Sequence, residues 1–251
     1  MKKMLLLLVA GLLLGSTVMA QEEPIPPRRS RMPKVGLFAG FTPGWLNLDV
    51  GPVNDFITSA KGAPLSTDGM VMYGGAGAIY IMVIPNFRIG GTGMSGSLSS
   101  STLENSTGLR RDSKLNVGWG GLTFEYVFPI IERLDISAGV MLGWGGMDLT
   151  MRVSNGGTNT WENESTLIGN GLVAPGNNLT RVYSGNFFVY VPSVNVEYAF
   201  VGWLAARLGV SYAGMAFPSW KVDGNYDLLN VPSTVKGNGV MVQAGIFVGT
   251  F

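Results

Sequence analysis

Residues 133–144, RLDISAGVMLGW, decide the fold. In an extended chain Leu134, Ile136, Ala138, Val140, Leu142 and Trp144 share one face, and Arg133, Asp135, Ser137, Gly139, Met141 and Gly143 share the other. Residues 204–213 repeat the division, with Leu204, Ala206, Leu208, Val210 and Tyr212 against Arg207, Gly209, Ser211 and Ala213. Shortly before them Val194, Val196 and Tyr198 oppose Ser193, Asn195 and Glu197. One face is wholly apolar, and the other carries Arg, Asp, Glu, Ser and Asn together with small Gly and Ala, the inverse of a soluble protein with its charges outside. Apolar outside and polar inside is the dyad of a barrel that faces lipid.

Three related hairpins extend the pattern: IYIMVIPNFRIGG (79–91), FEYVFPIIERLDISAG (124–139) and VEYAFVGWLAARLGVSYAG (196–214). Each has a Tyr, an apolar run through a turn, then an Arg followed by Ile or Leu. Tyr80, Tyr126, Tyr198 and Trp203, with Phe128 and Phe200, are read as an aromatic girdle at one membrane interface, where a ring buries while its polar edge stays wet.

Eight glycine-rich apolar stretches follow one another, at 34–49, 69–84, 87–100, 113–128, 133–153, 182–200, 203–217 and 238–251. Short links at 85–86, 129–132 and 201–202 alternate with long polar links at 50–68, 101–112, 154–181 and 218–237. The expectation is an all-β, antiparallel, up-and-down transmembrane β-barrel of eight strands, with short periplasmic turns and long extracellular loops. Met70–Ile84 is the best candidate for a transmembrane helix, but it falls short of roughly 20 apolar residues, contains Gly74, Gly75 and Gly77 and ends at Pro85-Asn86, which favours strand. The second and eighth stretches are apolar on both parities and leave their faces open. Glycine pairs at 74–75, 90–91, 120–121 and 145–146 are read as bulges or sites of strand curvature. A bulge at Gly120-Gly121 would bring Val117 and Trp119 into line with Leu122, Phe124 and Tyr126. Residues 50–62 suit one short helix, with Pro52 near its start and Gly62 past its end, capping the mouth or lying outside.

Composition agrees with a membrane address. Of 251 residues 46% are hydrophobic and 13% charged, about half the charge of an ordinary soluble domain. Lys2 and Lys3, the apolar run Leu5–Leu14 and Val18-Met19-Ala20 read as a cleaved signal peptide over 1–20. A Pro- and Arg-rich periplasmic leader (21–33), holding Arg28, Arg29 and Arg31, precedes the barrel at 34–251. Taking Lys2 and Lys3 from the 17 basic residues leaves −1 against 16 acidic ones, so no basic field points to nucleic acid. With no Cys there is no disulfide and no lipidated cysteine. With no His either, thiolate and imidazole metal sites and His-dependent hydrolysis are excluded, and no cofactor or metal is implied.

The chain resembles the small eight-stranded bacterial outer-membrane barrels, the OmpA-type transmembrane domain and its OmpX-like and OmpW-like relatives. The resemblance is architectural, over about 34–251, and its most specific residues are GIFVGTF at 245–251. It implies that Phe251, with Phe247 on the same face, is an assembly signal for the barrel-assembly machinery, and that outer-membrane lipid and lipopolysaccharide are the surroundings.

The candidate site is an inward layer at the periplasmic end: Arg88, Arg133 and Arg207 facing Glu125, Asp135 and Glu197. In a narrow lumen such charges must neutralise one another, so the layer is read first as a salt-bridge plug and second as a filter, with Arg133→Ala and Arg207→Ala both destabilising. Trp161, Trp220 and Tyr226 are loop aromatics suited to local packing or to a partner, and Asn105, Asn163 and Asn178 head Asn-x-Ser/Thr triplets of ordinary loop composition. The function expected is a non-catalytic outer-membrane barrel, structural or a narrow porin-like conduit for small solutes in a Gram-negative envelope. The alternatives are surface binding or adhesion through the loops, above all 154–181, and a secreted soluble β-sandwich.

Overall fold

Ten strands and one helix arise among the described residues of the computed structural model, which are 36–250 except 107, 155–178 and 236. The signal peptide, the leader, Trp161, Asn163, Asn178 and Phe251 lie outside them. The strands are β1 (Leu37–Phe41), β2 (Gly44–Leu48), β3 (Met70–Tyr80), β4 (Phe87–Glu104), β5 (Leu109–Ile131), β6 (Leu134–Ser154), β7 (Leu179–Val201), β8 (Leu204–Val222), β9 (Tyr226–Asp227) and β10 (Gly239–Gly249). Helix α1 is Gly51–Ser59.

β1 and β2 are two halves of one strand, parted at Thr42-Pro43 because proline has no N–H for the ladder. The neighbours hold across the gap: the Thr42 N–H donates to Gly74 O at 2.9 Å, and the Ala244 N–H to Pro43 O at 3.0 Å. β3 to β8 then pair in sequence, all antiparallel. β10 closes the ring, pairing with β8 on one side and with β1 and β2 on the other. The expected eight-stranded up-and-down barrel is what forms, and no sheet edge within it is left bare.

Two connections differ from expectation. The link at 101–112 is mostly strand, because β4 runs on to Glu104 and β5 begins at Leu109. Ser97, Ser99 and Ser101 of β4 point outward there, and so do Arg110 and Lys114 of β5. Beyond the bilayer water solvates both faces of a strand, so polar composition does not mark where pairing stops. At the opposite end β3 stops at Tyr80, whose N–H makes the last bond to β1, to Gly36 O at 3.0 Å. Residues 81–86 turn outside the ladder with Met82, Val83 and Ile84 exposed.

The outer face follows the period-two reading. Ile79 on β3, Leu122 on β5, Leu142 on β6, Val196 on β7, Leu208 on β8 and Ile246 on β10 are all exposed. On β6 the outward residues are apolar through the eleven positions Leu134–Trp144 and turn polar at Asp148, Thr150 and Arg152. That belt matches the roughly 9–11 tilted residues that cross a hydrocarbon core. Tyr126, Tyr198 and Trp203 stand exposed on its lower rim, with Tyr126 against Phe128 at 4.9 Å and Tyr198 against Phe200 at 5.3 Å between ring centroids. Trp144 and Phe188, 5.9 Å apart, mark the upper rim. Tyr80 does not belong to the girdle. It faces inward and is buried, because β3 places Met70, Met72, Ala78 and Tyr80 on its lumen side.

The Gly120-Gly121 bulge is absent: β5 stays in register with β4 and β6 through both glycines. Val117 and Trp119 therefore point into the lumen while Leu122 and Tyr126 point out. No register shift occurs at the other glycine pairs either. Close approach is their role, since a Cβ on Gly121 would lie 2.3 Å from Leu142 O on the next strand.

The interior consequently has two halves. Toward the tight turns it is polar, as expected. Toward the long-loop end it is a dry core, with Met70, Met72, Leu115, Val117, Trp119, Met147, Leu149, Phe187, Val189 and Met215 packed together. Flexible methionines fill the gaps a tapering lumen leaves. Helix α1 covers part of this core from above by burying Val53 and Ile57, so it lies across the mouth.

Leu208, 60% exposed at mid-belt on β8, tests the outer face. Leu208→Arg is expected to destabilise the barrel by about 2–4 kcal/mol in a bilayer. Urea unfolding from vesicles checks this, and a change under ~0.5 kcal/mol, the usual cost of a water-exposed surface substitution, would remove the lipid-facing assignment.

Candidate functional site: a buried charge network

The network is built by five strands at the tight-turn end. Arg88 is the second residue of β4, and cross-strand register sets it beside Glu125 of β5. Glu197 of β7 lies between Asp135 of β6 and Arg207 of β8, each its register partner. Because alternation sends all five inward, a ring too narrow for water to screen them brings them together.

Arg88 is 0% exposed. Its Nε donates to Glu125 Oε2 at 2.5 Å and its Nη1 to Glu197 Oε2 at 3.3 Å. Nη1 also reaches the Tyr80 hydroxyl at 3.5 Å, and Nη2 donates to Ser137 Oγ at 3.2 Å. Arg207 donates through Nη2 and Nε to Glu197 Oε2, at 2.7 and 3.0 Å, and its Nη1 stands 3.6 Å from Glu125 Oε1. Two guanidinium groups and two carboxylates thus alternate, each cation touching both anions, so that the Coulomb attraction offsets the cost of removing them from water. Phe38 and Phe247 complete the enclosure: the Arg207 guanidinium lies 4.5 Å from the Phe247 ring centroid, and Arg88 lies 4.9 Å from that of Phe38.

Neutral side chains extend the network upward. Asn195 donates to Ser137 Oγ at 3.3 Å and accepts from Gln243 Nε2 at 3.2 Å. Gly209 makes room for it, since a Cβ there would lie 2.0 Å from Asn195 Oδ1. Above lies a cavity of about 50 Å³ lined by Thr42, Glu125, Arg207 and Ser211, and then the methionine core begins.

Of the six charged residues expected in this layer, Arg88, Glu125, Glu197 and Arg207 are joined and Asp135 is buried among them. Arg133 is not: it occupies the two-residue turn between β5 and β6, exposed to solvent. β6 begins one residue later, so alternation starts too late to turn Arg133 inward. Phe247 is buried in the lumen as the packing partner of Phe38, 5.5 Å away, while its neighbours Ile246 and Val248 face outward. Sequence reading missed Tyr80, Phe38 and Gln243. Polar Gln243 in an apolar strand was the available sign; Tyr80 and Phe38 carried none, because their strands are apolar on both parities.

At the opposite end the Asp223 carboxylate accepts from the Val182 N–H at 3.0 Å and pairs with Arg181. The backbone hydrogen bond first, then Arg181, holds this exposed carboxyl below its ordinary range.

Among solved structures the chain is similar to several outer-membrane proteins. A major outer membrane protein of Thermus thermophilus is 8% identical, with a TM-score of 0.46, over 85% of this chain and 98% of that one. Neisserial surface protein A is 11% identical, with a TM-score of 0.38, over 86% and 96%. Ail, the attachment invasion locus protein of Yersinia pestis, crystallised with the heparin analogue sucrose octasulfate, is 13% identical, with a TM-score of 0.37, over 85% and 97%. No protein-family model and no curated protein matches the sequence. The architecture rests on the strand pairing of this chain itself.

Arg88→Ala leaves two buried carboxylates to share Arg207 alone and is expected to cost about 3–5 kcal/mol, whereas exposed Arg133→Ala should stay within about 0.5 kcal/mol. Equal effects of the two in detergent unfolding would dissolve the network assignment. For Asp223, a carboxyl lowered in the fold adds stability that is present above the unfolded-state value and lost as pH falls through the folded one. Protonation should therefore loosen the β7–β8 end first on acidification, read as faster amide exchange at Val182, and Asp223→Asn should remove the pH dependence.

Proposed function

We propose that this protein is an exported, non-catalytic outer-membrane barrel that conducts nothing and serves as a sealed scaffold for its long-loop end. The observation that carries the reading is the lumen, filled at two successive levels. Arg88, Arg207, Glu125 and Glu197 close the lower level by mutual pairing, and the core from Met72 to Phe187 closes the upper one without polar groups. Between them the cavity of about 50 Å³ has room for a water or two and not for a hydrated ion. A conduit would need polar side chains along the whole lumen, and ten apolar residues of five strands stand in its upper half.

The outer-membrane address is supported by the apolar belt with aromatics at both rims. Export follows from the signal peptide read over 1–20, lipopolysaccharide and lipid are the surroundings that the belt suits, and Phe251 remains the proposed mark for the assembly machinery. Absence of His and Cys supports the non-catalytic part, and so does the engagement of the buried guanidiniums and their two glutamates with one another.

A second reading, surface binding, is favoured by large apolar side chains held out at the long-loop end, where Phe56 is 42% and Leu229 78% exposed. A filled barrel supplies the rigid base that such a surface needs.

Refolded protein whose gel mobility shifts on boiling, the sign of a closed barrel, is expected to leave a planar lipid bilayer silent. Discrete, reproducible current steps from the same preparation would overturn the sealed scaffold and return the charge network to the role of filter.

A further inference from the structure

The connection 223–238 departs from the polar composition of an exposed loop. Its run LLNVPSTV (228–235) carries two leucines and two valines at the water end of the barrel. It folds back over the mouth: the Leu228 N–H donates to Trp220 O at 2.8 Å and the Val235 N–H to Pro232 O at 3.0 Å. Asn230, with φ of 58°, turns the chain between them. Leu228, Val231 and Val235 rest on the top of the core without closing it.

What is left between this run and α1 is a cleft of about 390 Å³. Leu149 and Trp220 form its floor, Val231 and Leu228 one wall, and Phe56 and Tyr183, 5.1 Å apart edge to face, the other. Besides the Tyr183 hydroxyl, its polar lining side chains are Asp55, Ser59, Asn230 and Thr234. Ser59 is already committed, its hydroxyl donating to Phe56 O at 2.7 Å. Asp55 is the one ionisable lining residue with a formal charge, exposed and making no hydrogen bond or ion pair among the described residues. Its neighbour Asn54 instead ties α1 down, accepting from the Leu65 N–H at 2.8 Å and donating to Leu65 O at 3.0 Å.

The size selects a small molecule, for ligand pockets run from about 300 to 1,000 Å³, whereas a protein partner covers about 800 Å² per side. The lining selects a hydrocarbon body. The rim selects the head: a carboxylate without a partner attracts a cation and repels an anion.

We infer that the cleft between α1 and Leu228–Val235 binds a single-chain cationic amphiphile, its chain between Leu149, Trp220 and Val231 and its head beside Asp55. This deepens the reading of the long-loop end as the working surface and rests on it.

The test uses the mature protein in phosphatidylcholine nanodiscs, titrated with octyltrimethylammonium, octyl sulfate and uncharged octyl glucoside. The readout is the fluorescence change of wild type minus that of Trp220→Phe, which cancels probe dissolved in lipid. Octyltrimethylammonium is expected to saturate this signal at a concentration about ten-fold lower than octyl sulfate, the factor one nearby charge supplies. Asp55→Asn should bring the two together while leaving octyl glucoside unchanged, and Val231→Lys, in the half-buried wall of the cleft, should weaken octyltrimethylammonium about ten-fold or more by the same Coulomb term. No saturable Trp220 signal with any probe, or equal affinity for both charged heads in the wild type, would overturn the inference. The bilayer recording separates the two claims: a silent barrel that binds no probe loses only the cleft, and a conducting barrel that still binds octyltrimethylammonium loses only the seal.

Discussion

An eight-stranded ring leaves an interior barely wider than the side chains that fill it, and most of this molecule follows from that. A charge pointing into such a space meets neither bulk water nor lipid headgroup, and only another side chain can compensate it. Arg88 is the extreme case, wholly buried and held by Glu125, Glu197, Tyr80 and Ser137 from four other strands. Since each partner comes from a separate strand, the network closes only when the strands are in register. A one-residue slip would turn these side chains into lipid and the apolar stripe into the lumen.

The same narrowness explains the upper half. Where no charges point inward the lumen fills as a soluble core does, with methionines, Trp119 and Phe187 packed around the axis and α1 laid over the top. An apolar outer belt and an apolar inner core on the same strands account for the high hydrophobic content of the chain. They also explain why β3 and β10 are apolar on both parities: one parity faces lipid and the other the core. The two fillings differ in consequence. The ionic layer specifies which strands sit side by side, while the apolar layer excludes water and makes the mouth a solid platform for the loop that folds across it.

Much of this was legible in the strands that carry charge. Leu134–Trp144 and Leu204–Tyr212 announced their faces because Asp135, Ser137, Arg207 and Ser211 interrupt the apolar series at every second position. Glu125, Glu197, Arg88 and Arg207 could be named as one layer because three hairpins share a Tyr-turn-Arg plan. Tyr80 broke the analogy. Its sequence context matches Tyr126 and Tyr198, yet β3 runs in the opposite phase, and nothing in MVMYGGAGAIY marks which parity is wet. Arg133 failed for a related reason: a turn of two residues rather than four moved the strand start past it. The glycine pairs leave both bulge and curvature open in the sequence, because local sequence cannot tell a residue added to one strand from a close approach of two.

By itself the sequence determined the class of fold, the number and order of strands, the lipid face of the charged strands and four of the charges that meet, because alternation and loop spacing are local and each strand carries them independently. Only the tertiary structure decided that the lumen is filled at two levels, that Tyr80, Phe38 and Phe247 enclose the guanidiniums, and that residues 228–235 line an apolar cleft. These depend on which side chains from non-adjacent strands arrive at the same height, and that height is set by the register around a closed ring.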